Sequence, residues 1–296
     1  MAKYLIVNAD DFGMCSSANK AVFDLFETGN LKSATIMMPC PTAKEAVDFA
    51  IAHPEYAIGV HTTLTSEWQK YRWKPLTDSP SLVDEEGYMW HEADMVERHA
   101  KYAEIEKEVR AQLDLAISMG MKPSHMDNHM GSLYGHQTGR FSLGKLALRI
   151  AADYGLPYRL FSKIDRRTLP EGVPWPIYKV IGRMGASWIK KYNVIVPDYL
   201  LFPDWGQMDR MMHDEFDYEL YKKLILRIWA DIPDGVTETF VHPAVASDEL
   251  RGITGRWMCR DAEYKLLKDP ETWRYLEDHG VKMISYRDLV TLKSQG

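Results

Sequence analysis

Short apolar runs alternate with amphipathic helical stretches along nearly the whole chain, and this alternation restricts the fold more than any other feature. Tyr4-Leu5-Ile6-Val7 reads as a first buried strand, and apolar residues at Ala18, Val22, Leu25 and Phe26 then recur at helical spacing until Gly29-Asn30. Ser33 to Met38 is a second strand, halted by Pro39 and Pro41, with a helix from Thr42 to His53 behind it. Ala57 to Leu64 is a third. Met95 to Met119 carries the longest helical pattern, and Pro123 opens a strand at Ser124 to Asp127. A helix at 143–154, a strand at 158–161, a Pro/Trp-rich crossover around 170–176 and helices at 178–191 and 218–232 come next, followed by strands at 237–241 and 282–285. Strands separated by helices of this length pair in parallel. Six to eight such units predict one α/β domain over residues 1–296, an irregular (β/α) TIM-like barrel of seven or eight strands.

One stretch breaks the pattern. Residues 66–94 have no clean period and hold Trp68, Tyr71, Trp73, Pro75, Tyr88 and Trp90. Long irregular loops in compact domains are usually functional, and exposed aromatics suit stacking on sugar rings; a hydrophobic plug over the barrel fits equally well.

Composition narrows the partners. The net charge is −6, and Lys/Arg clusters reach only pairs such as Arg166-Arg167, so no basic patch invites nucleic acid or an anionic membrane. Cys15, Cys40 and Cys259 are too few and too scattered for a disulfide framework or a thiolate zinc site. With no leader-like segment and no run of about 18 apolar residues, a cytoplasmic location is the expectation.

Barrel enzymes place their chemistry at the carboxyl ends of strands. Those ends hold Asp10-Asp11, then His61, then His125 with Asp127 and His129, then His242. Adjacent buried carboxylates need a cation, donors or a shared proton, which suggests a metal or acid/base site, although an exposed helix-capping turn is the bland alternative. Imidazole and carboxylate together suit zinc and other divalent ions, and three protein ligands leave a position for water. As a strand, Ser124 to His129 puts His125, Asp127 and His129 on one side; as a helix it pairs His125 with His129, and Pro123 favours the strand.

Asn8-Ala9-Asp10-Asp11-Phe12-Gly13, Gly59-Val60-His61-Thr62-Thr63-Leu64, His125-Met126-Asp127-Asn128-His129 and His242-Pro243-Ala244 with Asp248 resemble, in order and spacing, the motifs of the YdjC-like carbohydrate deacetylases. The tail from Arg260 to Tyr264 and from Ile284 to Leu289 is similar to that family's closing segment. The resemblance implies an irregular barrel, one divalent ion (Zn²⁺ or Mg²⁺ foremost), and removal of an acetyl group from an N-acetylated sugar or small oligosaccharide. It implies Asp11, His61 and His125 as metal ligands, Asp10 as general base and His242 as general acid. Asp127 and His129 are expected to support the ligands or touch substrate, with Trp73 of the insertion on the sugar. Adjacent residues of an extended strand face opposite ways, which would leave Asp10 to handle a proton while Asp11 ligates.

Two departures stand out. Ala244 replaces the family's usual Gly, and Met130-Gly131 stands where a further His-His is common. A phosphoesterase or sugar esterase on the same barrel, or a sugar-binding protein without turnover, are the rival readings, and a homodimer is left open. Retention of Asp10 beside Asp11 and of His242 counts against binding alone, which needs no proton carrier.

Overall fold

The computed structural model describes residues 2–168, 175–202 and 216–295; most of the expected crossover at 170–176 lies outside them, as does His213. Seven strands are present among these residues: β1 (Lys3–Phe12), β2 (Ser33–Ile36), β3 (Ala57–Thr62), β4 (Met126–Asn128), β5 (Tyr199–Leu200), β6 (Gly235–Val241) and β7 (Val281–Met283). They form one parallel sheet in the order β4-β3-β2-β1-β6-β5, and β7 pairs with Lys3 to Leu5 of β1 below the point where β2 takes over at Asn8. The helices are α1 (Ser16–Glu27), α2 (Ala43–Ala52), α3 (Ala93–His99), α4 (Tyr102–Ser118), α5 (Ser142–Asp153), α6 (Trp175–Tyr192), α7 (Tyr218–Ala230), α8 (Asp248–Ile253), α9 (Trp257–Lys268), α10 (Pro270–Asp278) and α11 (Tyr286–Ser294).

The sheet curls into a roughly TIM-like barrel that does not fully close. Between β4 and β5 the expected strand at 158–161 is reduced to a bridge from Tyr158 to Met126, with Tyr158 N donating to Ile195 O (3.0 Å) and Ser162 N to Pro197 O (3.2 Å). Pro157 has no N–H to extend a ladder there. The single helix expected over 95–119 is two, because Arg140 Nη1 donates to the carbonyls of Glu97 (2.9 Å) and Ala100 (2.7 Å) where α3 ends.

β1 shows why its sequence is a continuous apolar run: both faces are buried. Leu5, Val7 and Ala9 face outward into the main core with Val22, Leu25 and Phe26 of α1, while Ile6 faces inward with Val236, Ile284 and Tyr286. The same alternation then places Asn8 and Asp10 above Ile6 inside the barrel. Asn8, Thr35, His61, Asp127, Arg159 and Glu238 are all buried there and joined by hydrogen bonds. Gly59 makes this crowding feasible, since a Cβ on it would lie 2.3 Å from the His125 carbonyl oxygen.

The middle of the 66–94 insertion is riveted to α4, while Glu67, Trp68 and Glu92 near its two ends line the cleft. Glu108 accepts from Leu76 N (2.9 Å), Thr77 N (2.9 Å) and Thr77 Oγ1 (2.7 Å), and Glu104 from Ser81 N and Oγ (2.8 Å each). No described helix is long and apolar enough to cross a membrane, and all three cysteines are buried and outside any disulfide.

Candidate metal centre and active site

The two adjacent carboxylates reach the same cleft through a bulge. β1 and β2 stay in register at Asn8–Ser33 and Ala9–Ala34, then slip before Phe12–Ile36. Asp11 absorbs the slip at φ 59°, a left-handed conformation uncommon for a residue with a side chain. The opposite-facing geometry of a flat strand is thereby corrected: Asp10 and Asp11 both line the cleft. Gly13 (φ 87°) completes the turn where a Cβ would fall 3.0 Å from Ala43 Cα.

Asp11, His61 and His129 bring one ligand atom each to a common point. Asp11 Oδ1 lies 3.5 Å from His61 Nε2 and 3.3 Å from His129 Nδ1, is buried, and has no hydrogen-bond partner. An orphaned buried carboxylate oxygen facing two imidazole nitrogens is a donor set that fits a divalent cation. The outer atoms are all occupied. Asp127 Oδ1 pairs with His61 Nδ1 (2.7 Å), Glu67 Oε2 with His129 Nε2 (2.9 Å), and Arg260 Nη2 donates to Asp11 Oδ2 (2.7 Å). A second grouping, Asp10, His61 and Asp127, is a weaker candidate, because Asp127 Oδ2 is already taken by Thr35 Oγ1 (2.8 Å) and Arg159 Nη2 (2.8 Å). Burial would raise the Asp11 carboxyl, yet the Arg260 guanidinium and His129 hold it well below the usual carboxylate range. Burial would likewise depress His129, but Glu67 and Asp11 push it up to about 10.

His125, the expected third ligand, is not brought to this cluster, and His129 stands in its place beside Asp11 and His61. The strand does put 125, 127 and 129 on one side, but at successive depths. His125 lies a layer down, its ring stacked on Tyr286 (3.7 Å between centroids), Nε2 paired with Asn8 Oδ1 (3.1 Å) and Nδ1 with Ser124 Oγ (2.8 Å). Burial and then Arg159 press its pKa well below normal, so it is a neutral core residue. β4 ends at Asn128, and a 3-10 turn over His129–Gly131 with Met130 at φ 52° lifts His129 to the mouth instead.

Asp10 is clamped by a residue that the sequence reading passed over. Arg159 donates Nη1 to Asp10 Oδ2 and Nη2 to Asp10 Oδ1 (2.6 Å each), and Nε to Glu238 Oε1 (2.7 Å). Burial raises the Asp10 carboxyl, but Arg159 and His61 outweigh it and bring it down to about 2. Glu238, whose other oxygen accepts from Tyr286 Oη, is pushed up by burial to about 7.

His242 follows β6 and lines the cleft, where burial lowers its pKa to about 4. Glu263 on α9 accepts from its backbone N–H (2.7 Å), lies 4.0 Å from Nδ1, and is raised by burial to about 8. Trp73 does not line the cleft: it is 3% exposed, and its Nε1 donates to Thr65 O (2.8 Å). Trp68 lines it instead, under the Arg260 guanidinium (5.8 Å), within a cavity of about 630 Å³.

Arg159, Arg260, Glu67 and Glu263 are thus the site residues missed from the sequence. Arg159 could have been found by extending the strand-end test to the expected strand at 158–161, and Arg260 with Glu263 by their i,i+3 spacing on one helix.

Residues 4–278 match the family model described as YdjC-like protein. The chain belongs to the YdjC-like family. Its relatives within reach of sequence comparison include a protein named carbohydrate deacetylase from Geobacillus stearothermophilus, 30% identical over 293 residues and covering 99% of this chain and 100% of the relative. Carbohydrate deacetylase 2 of Listeria innocua is 33% identical over 289 residues, covering 96% and 98%. A crystal structure from Enterococcus faecalis, described as a cellobiose-phosphate cleavage protein, is 27% identical with a TM-score of 0.72 and coverage of 98% and 99%. Coverage near completeness on both sides brings the cleft and the insertion of this YdjC-like chain within the likeness.

Proposed function

We propose that the protein is a metal-dependent carbohydrate deacetylase that hydrolyses the acetamido group of a small N-acetylated sugar or oligosaccharide. The observation that carries the reading is the convergence of Asp11 Oδ1, His61 Nε2 and His129 Nδ1 beside Asp10 in an aromatic-lined cleft. The names of full-length YdjC-like relatives support the substrate class.

These three atoms form a set suited to one divalent ion, Zn²⁺ or Mg²⁺, with room for water and substrate. Such an ion polarises a carbonyl and acidifies water, from about 15.7 toward about 7 in zinc enzymes. Asp10, held anionic and aimed by both arms of Arg159, accepts the proton of the attacking water as the new C–O bond forms. As the C–N bond breaks, the leaving nitrogen takes a proton from the His242–Glu263 pair. Neutral His242 alone is a poor donor near pH 7, and the protonated Glu263 carboxyl beside it is the reservoir. The low-dielectric walls strengthen each of these interactions.

Incubation with chitobiose, its phosphate and an acetylated xylan fragment is the test. Acetate release from the N-acetylated sugars, abolished by a chelator and restored by Zn²⁺ or Mg²⁺, is the expected result. Release of phosphate without acetate would replace the reading with a phosphoesterase.

A further inference from the structure

Both candidate imidazole ligands are secured from behind by carboxylates, but the two carboxylates have different origins. Asp127, which pairs with His61, lies on β4 opposite His61 in the sheet register. Glu67, which pairs with His129, stands at the root of the 66–94 insertion. With its Nε2 committed to Glu67 at 2.9 Å, His129 presents Nδ1 to Asp11. With its Nδ1 committed to Asp127, His61 presents Nε2. Which ring nitrogen faces an ion is therefore set by the carboxylate behind it.

His129 needs this help more than His61 does. His61 belongs to a regular strand flanked on both sides, whereas His129 starts a 3-10 turn whose next residue is left-handed. Glu67 follows Ser66, whose N–H bonds to Trp90 O (2.8 Å) and whose Oγ accepts from Trp73 N (3.0 Å), so the root of the insertion is itself anchored.

We propose that Glu67 is a positioning residue for the metal centre: it fixes the ring orientation and tautomer of His129 and so couples the insertion to ion binding. This rests on the metal-dependent reading above. A structural role alone would lower thermal stability and leave the ion's environment unchanged.

The test is Zn²⁺ affinity by competition with a chromophoric chelator, with the visible spectrum of the Co²⁺-loaded protein as a second readout. Glu67→Ala is expected to raise the Zn²⁺ Kd roughly 10–100-fold and to alter the Co²⁺ bands. Glu67→Gln, which keeps an acceptor oxygen but loses the charge, should fall between Glu67→Ala and wild type, and it carries the test if the alanine variant does not fold. Variants that bind Zn²⁺ within twofold of wild type with an unchanged Co²⁺ spectrum overturn the proposal and leave the metal reading standing. Wild-type protein that takes up no Zn²⁺ or Co²⁺ overturns the metal reading, and the role of Glu67 with it.

Discussion

On one side of the cleft, Asp10, Asp11, His61 and Asp127 sit at the ends of β1, β3 and β4, where parallel register fixes each neighbour. On the other side, Arg159, Glu263 and Arg260 come from an irregular segment and from a helix. The strand side supplies the anions and imidazoles; the irregular side supplies the cations and the protonated carboxyl that balance them. Neither side is stable in its own charge state alone. Asp10 is buried as an anion only because Arg159 reaches it with two bonds, and Asp11 only because Arg260 does. The difference teaches that a strand-end constellation is half of such a site, and that the other half need not share its periodicity.

The sharpest way to break this comparison lies within one segment, with the pair His129 and His125. His129→Ala removes a candidate ligand and is expected to lower metal affinity by more than about 100-fold, beyond the 10–100-fold typical of losing a supporting partner, with activity falling in step. His125→Ala should leave metal affinity within a fewfold of wild type. It should instead lower stability by about 2–4 kcal/mol, since it opens a cavity beneath Tyr286 and strips Asn8 Oδ1 and Ser124 Oγ of partners. Isothermal titration with Zn²⁺ and urea unfolding of both variants decide it, and the reverse pattern would return His125 to the triad.

Stability separates the two sides next. Arg159→Met would leave Asp10, Asp127 and Glu238 buried around an uncharged side chain, and is expected to cost about 3–5 kcal/mol in urea unfolding. Arg159→Lys should recover little, because a point charge cannot reach three carboxylates as the planar guanidinium does. Trp73→Ala is expected to cost a similar amount, about 3–5 kcal/mol, while leaving KM near wild type, since Trp73 packs behind the cleft with Met14 and Met89.

How much of this was legible follows from period. Parallel β/α alternation, the buried run of β1 and the positions of Asp10, Asp11, His61 and His242 are all expressed in local patterns that a sequence displays. The choice of His129 over His125 is not, because both obey the same two-residue period and only the depth of each along the barrel axis distinguishes them. Likewise, the bulge at Asp11 has no local signature beyond Gly13. Arg159 sits 149 residues from Asp10, and its pairing is a product of closure between β4 and β5 rather than of any spacing.

A smaller effect probes the proton reservoir on the irregular side. Glu263 has a folded-state pKa of about 8, above the ordinary 4.5, because burial disfavours its anion. A carboxyl raised in this way contributes stability that is fully present below about pH 4.5 and is lost as pH rises through about 8. Glu263→Gln should therefore flatten the fall in stability between these limits, most visibly above pH 7, while Glu238, raised to about 7, keeps part of the slope. The same variant should lower kcat by roughly 10²-fold and weaken the basic limb of kcat/KM. A wild-type pH profile in Glu263→Gln would leave His242 as the sole donor.

The smallest expected effect concerns where the sugar rests. The insertion offers several aromatics, and the structure divides them: Trp73 is sealed behind the cleft, whereas Trp68 lines it, partly exposed, beside Arg260. Its partly exposed indole presents an apolar face on which a pyranose ring can rest, while its Nε1 is buried away from the cleft surface. It stands one residue from Glu67, and its ring lies under the Arg260 guanidinium, so its loss should be felt by the substrate more than by the ion. Trp68→Ala is expected to raise KM about tenfold, equivalent to about 1.4 kcal/mol of binding, with kcat nearly unchanged, the pattern of an interaction made equally in ground and transition states. Trp68→Phe keeps a smaller aromatic face and should recover part of that loss. A fall in kcat with constant KM would instead make Trp68 part of the catalytic frame, and the insertion root would then belong to the strand side of the comparison rather than to the sugar.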